Sequence, residues 1–168
     1  MKLTFLKIRT NSLLKRNKTL RANLSYKKAQ SIGIIFSVED KIKHDAVKEL
    51  IKKFEHDGKS VQVIEFLPNK KENYEFLFDF FSDKDLSFWG NITSDSALKF
   101  SDTPFDFLYY IDGAPNPMIL NLLARSKSKC RVGKFWEEGS PFFELMIESN
   151  GNMRALMDNM YTYTSQLK

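Results

Sequence analysis

Two short apolar runs on either side of one amphipathic helix constrain this chain more than any other feature. Ser31-Ile-Gly-Ile-Ile-Phe-Ser37 is nearly continuous in apolar and β-branched residues. A strand without polar alternation offers no face to solvent, so it belongs inside a sheet covered on both sides. Ser37 stands three residues before Asp40, in the manner of a capping box. Ile42, Ala46, Val47, Leu50, Ile51 and Phe54 then recur at helical spacing. Gly58 follows, a residue suited to the position past a helix C-cap. Val61–Leu67 reads as a second strand, closed by Pro68. Strand, helix and strand with connections this short make a right-handed βαβ unit with parallel strands.

The alternation continues downstream. Glu75–Phe81, rich in Phe, predicts a third strand, and a short helix is expected around Ser94–Lys99. Phe105–Asp112 is a further strand. Asn116 sits where an N-cap belongs, with Pro117 at the first helical position and Met118, Ile119, Leu122 and Leu123 as the apolar face. Strands at Cys130–Phe135 and Phe142–Ile147 follow. Gly151 precedes a last helix that turns Met153, Leu156, Met157, Met160, Tyr161, Thr164 and Leu167 inward. The expected fold is α/β: a three-layer sandwich over residues 31–168, with a mostly parallel, Rossmann-like sheet of five to six strands in the order 3-2-1-4-5. The fifteen Phe residues are expected to fill its core. With 168 residues the chain has room for one such domain.

Charge divides the chain. Residues 1–30 hold nine basic residues, Lys2, Lys7, Arg9, Lys15, Arg16, Lys18, Arg21, Lys27 and Lys28, and no acidic one. Residues 31–168 hold 17 basic and 21 acidic residues, so a basic arm precedes a mildly acidic body. An asymmetry of this sign points to a polyanion, nucleic acid or a membrane surface. The arm has no Pro or Gly, and Leu3, Leu6, Leu13, Leu14, Leu20 and Leu24 share one side of a helical wheel, so it reads as one or two amphipathic helices. Four readings stay open. The leucines could dock on the body with the cations shown to RNA. The arm could lie on an anionic membrane. It could be a cleaved presequence. It could be a solubilising face that binds nothing specific.

Residue chemistry excludes more than it assigns. The turn after the first strand, Ser37-Val-Glu-Asp40, has no glycine, and Glu39 and Asp40 put negative charge where a phosphate would sit. That excludes a dinucleotide or triphosphate at this turn, and no cofactor is expected. The loop Asp112-Gly-Ala-Pro-Asn116 is the best small-ligand position, through Asp112, Gly113 and Asn116, although turn and cap bonding accounts for the same residue types. His44 and His56, twelve residues apart on one predicted helix, cannot share a metal, and both are expected to face solvent. Cys130 lies beside Lys129 and Arg131 but reads as a packed thiol, and no metal site is expected. Phe88 and Trp89 stand in a polar, irregular segment, either as an exposed partner hot spot or as a plug over a sheet edge.

Lys28–Phe36, Phe80–Gly90, Phe105–Asp112 with Ser126–Phe135, and Glu144–Ile147 together resemble an uncharacterised bacterial family of small α/β proteins, a domain of unknown function, across about residues 28–168. Phe105–Asp112 followed by Ala124–Gly133 is also similar to the acceptor-side half of heptosyltransferase-like glycosyltransferases. That second resemblance would place an acidic catalytic position at Asp40. Phe36–Asp40 lacks the glycine of the corresponding loop, and the chain ends before a second nucleotide-binding domain, so it implies fold and not retained transferase activity.

The leading functional expectation is a non-enzymatic, cytoplasmic binding module whose arm contacts RNA or a ribonucleoprotein. A peripheral membrane or protein-complex adaptor is the first alternative. A degenerate glycosyltransferase-like domain with a small-ligand site is the second.

Overall fold

The computed structural model describes all 168 residues. In chain order it contains α1 (Lys2–Arg16), β1 (Ser31–Ser37), α2 (Lys41–His56), β2 (Ser60–Phe66), β3 (Asp79–Phe81), α3 (Asp95–Asp102), β4 (Phe107–Ile111), α4 (Pro117–Arg125), β5 (Cys130–Lys134), β6 (Leu145–Ile147) and α5 (Met153–Ser165). The strands form one all-parallel sheet in the order β3-β2-β1-β4-β5-β6. This is the expected order with β6 added outside β5. No helix is long and apolar enough to cross a membrane.

Parallel strands turn alternate side chains to opposite faces, and each face has its own core. Ile35, Ile64, Phe66, Leu108 and Tyr110 meet α3 and α4 on one side. Ile32, Ile34, Phe36, Phe107, Tyr109 and Ile111 meet α2 and α5 on the other. Ile32, Ile34, Ile35 and Phe36 of β1 are no more than 1 % exposed, as an unalternating run requires. Gly33 is needed at its position, because a Cβ there would lie 2.6 Å from the Phe105 ring.

The structure corrects four local expectations. The third strand starts at Asp79 and not at Glu75, because Glu75 and Phe76 take positive φ (59° and 46°) and break the extended chain. The last strand is Leu145–Ile147, since Phe142 and Phe143 turn into the core ahead of it. Asp40 and not Ser37 caps α2: its Oδ1 accepts from the Lys43 amide at 2.8 Å, while Ser37 ends β1. The buried face of α2 is rotated from the one expected. Ile42 is 74 % exposed, and Lys43 and His44 are buried with Ala46, Val47, Leu50 and Phe54.

Because β3 pairs only with Ile64–Phe66, the first half of β2 has no neighbour on that side. A cavity of about 960 Å³ runs along this open edge between α2 and α3. Its rim mixes Lys52 and Lys99 with Glu55, Asp79 and Asp95, so it favours neither sign of charge.

Candidate nucleic-acid interface

The basic arm does not stand away from the body. Leu6 of α1 is buried, and Leu13 and Leu14 are half-buried against the core that α4 completes. Thr10 is buried too. Its Oγ1 donates to the Leu6 carbonyl at 2.8 Å and accepts from Asn121 Nδ2 of α4 at 3.0 Å. Asn17, just past α1, donates to the Ala124 carbonyl at 3.0 Å, which serves an orphan acceptor at the end of α4. Two of the six leucines of the expected stripe, Leu3 and Leu20, stay exposed.

Arg21 turns inward. Its guanidinium donates to the Ser126 and Ser128 carbonyls at 2.6 Å each and lies 4.0 Å from Glu144. Burial, and then the neighbouring Arg131, pull its pKa down to about 10, so it keeps its charge at neutral pH. It is a tie between the arm and the body and offers no free fork to a ligand. The other eight cations of the arm, Lys2, Lys7, Arg9, Lys15, Arg16, Lys18, Lys27 and Lys28, are all exposed, and none has a carboxylate within ion-pair distance. Lys27 and Lys28 lie in the turn before β1, separate from the α1 group.

Arg9 and Arg16 are seven residues apart, two helical turns, and so share one flank of α1. That flank borders a cavity of about 250 Å³ whose opposite walls carry Arg125 of α4, Asn121 and Asn91. Ser12 adds a hydroxyl. Arg125 Nε lies 3.6 Å from Asp102 Oδ1 at the end of α3, the one carboxylate that pairs with this group of guanidiniums.

The segment from Ser87 to Asn91 closes the upper rim. It is a tight turn, with the Ser87 amide on the Asn91 carbonyl at 2.9 Å and the Gly90 amide on the Ser87 carbonyl at 3.0 Å. Gly90 has φ +75°, and a Cβ there would strike the backbone of Phe5 and Leu6. Only glycine allows the turn to press on α1 at that point. Arg9 Nε donates to the Trp89 carbonyl at 3.0 Å, and Lys2 Nζ to the Leu86 carbonyl at 3.3 Å. The turn thus presents Phe88 and Trp89 to solvent, 52 % and 60 % exposed. Their rings meet edge to face with centroids 5.1 Å apart, and Phe5 supports Trp89 at 5.4 Å. The two expected features, the arm's arginines and the Phe88–Trp89 pair, therefore form one surface. Arg125, Asn121, Asn91 and Ser12 were not among the expected residues. Arg125 sits in the last turn of α4, where a cation is favoured by the helix dipole, but its neighbour α1 is more than a hundred residues away in sequence.

At the other candidate position, where the connections of β1 and β4 part in opposite directions, the crevice is filled from within. Asp112 is buried, and it accepts from the Ser37 amide at 2.8 Å and the Ser37 hydroxyl at 2.7 Å. Lys43, whose side chain is 2 % exposed, reaches in from α2 and bonds Asp112 at 2.7 Å, the Ser37 carbonyl at 2.8 Å and Glu39 at 2.9 Å. All three ammonium protons are used. Asn116 Oδ1 caps α4 by accepting from the Met118 and Ile119 amides. Gly113 is exposed, and the cavity beside it measures about 20 Å³, far below the size of ligand pockets.

His44 is buried, contrary to expectation, with Nε2 2.8 Å from Glu75 and its ring against Tyr74 and Phe78. His56 is exposed. The Cys130 thiol is buried, and burial pushes its pKa up to about 12, which removes thiolate chemistry at neutral pH.

A family of unknown function, DUF6913, matches residues 2–167. The chain belongs to DUF6913. No curated protein and no solved structure shows significant similarity to it, and no glycosyltransferase relationship emerges. The DUF6913 match takes in α1 together with the sheet, in keeping with the contacts that Leu6, Thr10 and Arg21 make.

Proposed function

We propose that this protein is a non-enzymatic module that binds single-stranded RNA, free or within a ribonucleoprotein, across the face formed by α1, the Trp89 turn and the end of α4. The observation that carries this reading is the grouping of Arg9, Arg16 and Arg125 around one cavity beside two solvent-facing aromatic rings. Guanidinium forks match phosphate oxygens in shape and charge. Exposed aromatic rings accept any base by stacking, which is how single strands are held without sequence readout. The acid-free α1 extends the positive field along the strand's path.

RNA is favoured over a membrane surface because Leu6, Leu13 and Leu14, the centre of the apolar stripe, are engaged in the body. It is favoured over a small-ligand site at Asp112 because Lys43 occupies that crevice.

Fluorescence anisotropy of a labelled single-stranded RNA with the full chain tests the proposal. If about five phosphates are neutralised, log K falls with log salt at a slope of about −3 to −4. Trp89→Ala should weaken binding roughly tenfold with that slope unchanged, since stacking carries no counterion release. Arg16→Ala should make the slope shallower by about 0.7. Absent affinity, or affinity indifferent to salt, would refute the proposal.

A further inference from the structure

We infer that the cavity between α1 and α4 holds a terminal phosphate monoester of the bound strand, so that the protein grips an RNA end in preference to an internal stretch. This rests on the single-strand reading above and adds to it which part of the strand is recognised.

Charge favours a monoester. An internal phosphodiester carries one negative charge, whereas a monoester carries about 1.5 to 2 near neutral pH and has three acceptor oxygens. Three guanidiniums against a single nearby carboxylate, Asp102, match a dianion better than a monoanion. The Arg16 guanidinium has neither an ion pair nor a hydrogen bond within the protein, and Arg125, whose Nε faces Asp102 at 3.6 Å, makes no side-chain hydrogen bond, so both guanidiniums retain donors for a ligand. Shape agrees with charge. Leu13, Ile92 and Leu98 line the cavity on its apolar side, and Asn121, 5 % exposed, is held in its wall by Thr10. At about 250 Å³ it lies below the range of pockets that enclose a whole drug-sized ligand. A phosphate group fits, with the first base left outside. Placement completes the match. Arg9 lines the cavity and also bonds the Trp89 carbonyl, and the Trp89 ring rests on Phe5, one helical turn before Arg9, so the stacking rings lie about a turn of α1 from the cavity. A terminal phosphate seated inside would leave the adjacent base beside Trp89.

Either end of a strand can carry a monoester, and the test separates the two. Three ten-nucleotide single-stranded RNAs of one sequence, 5′-phosphorylated, 3′-phosphorylated and unphosphorylated, are titrated against the full chain at fixed ionic strength. One phosphorylated strand is expected to bind about tenfold or more tightly than the unphosphorylated one, the scale of a charge-assisted hydrogen bond. Inorganic phosphate should reduce that preference. Arg16→Gln, at an exposed residue with no partner whose loss would disturb the fold, should shrink the preference below about threefold. Equal affinity for all three strands overturns this inference and leaves the single-strand reading standing. Failure of every strand to bind overturns both.

Discussion

Lys43→Met should lower the free energy of unfolding by about 3–5 kcal/mol at neutral pH, measured by urea denaturation. The reason lies in what the substitution leaves behind. Lys43 and Asp112 are buried together, with side chains 2 % and 6 % exposed, and their charges are compensated within the crevice between β1 and β4. Without the ammonium, Asp112 keeps neutral partners such as the Ser37 amide and hydroxyl, and its charge is no longer matched. Taking both charges away together removes that penalty, so Lys43→Met combined with Asp112→Leu should be more stable than Lys43→Met alone. A single-variant loss under about 1 kcal/mol would mean that the crevice is wet in solution and open to ligands, and not sealed by the Lys43–Asp112 pair.

Glu65→Met should stabilise the protein, and more at pH 8 than at pH 5. Glu65 lies within β2, fully buried, and neither carboxyl oxygen has a hydrogen-bond partner. Its register neighbours on the two adjacent strands are Phe36 and Phe80. Burial raises its pKa to about 7. In the unfolded chain the same carboxyl loses its proton near 4.5. Between these values the folded state binds more protons than the unfolded one, so stability falls as pH rises from about 4.5 to about 7 and the loss persists above. A displacement of this size corresponds to about 3 kcal/mol at pH 8. Methionine fills a similar volume without a charge to desolvate. The difference in urea stability between wild type and variant isolates this one group, because every other titrating residue is common to both. An equal gain at pH 5 and pH 8 would show that Glu65 is solvated and ionises normally.

Lys43 and Glu65 also show where the amino-acid pattern was readable and where it was not. The apolar run of β1 and the Asn116–Pro117 start of α4 are local signals, decided by burial and capping, and both appear where expected. The buried face of α2 was also open to reading: Lys43 stands three and four residues before Ala46 and Val47, in the middle of their stripe, while Ile42, four before Ala46 but five before Val47, lies at its edge. Treating a lysine as solvent-facing and an isoleucine as core by residue type hid that register. Nothing local could reveal the partner of Lys43, because Asp112 lies 69 residues further on and meets it only once β1 and β4 are neighbours. The shortness of β3 follows from left-handed backbone at Glu75 and Phe76, which are not glycine and give no warning. The candidate interface was half legible. Charge counting singles out Arg9 and Arg16, and the polar setting of Phe88 and Trp89 marks them as unusual. Their assembly with Arg125 depends on α1 lying against α4 and on Gly90 admitting the turn to the α1 backbone.

Everything proposed for this protein requires that its ligand-bearing surface be the α1–α4 face and not the carboxyl end of the sheet. Backbone amide NMR of the full chain, titrated with single-stranded RNA, decides between the two, because it reports position as well as affinity. Shifts should concentrate at Arg9, Ser12, Arg16, Trp89, Asn91 and Arg125, and the Trp89 indole N–H should move with them. Shifts gathered instead at Ser37–Lys43 and Asp112–Asn116, with the α1 amides unmoved, would place the ligand at the sheet end and overturn the proposal.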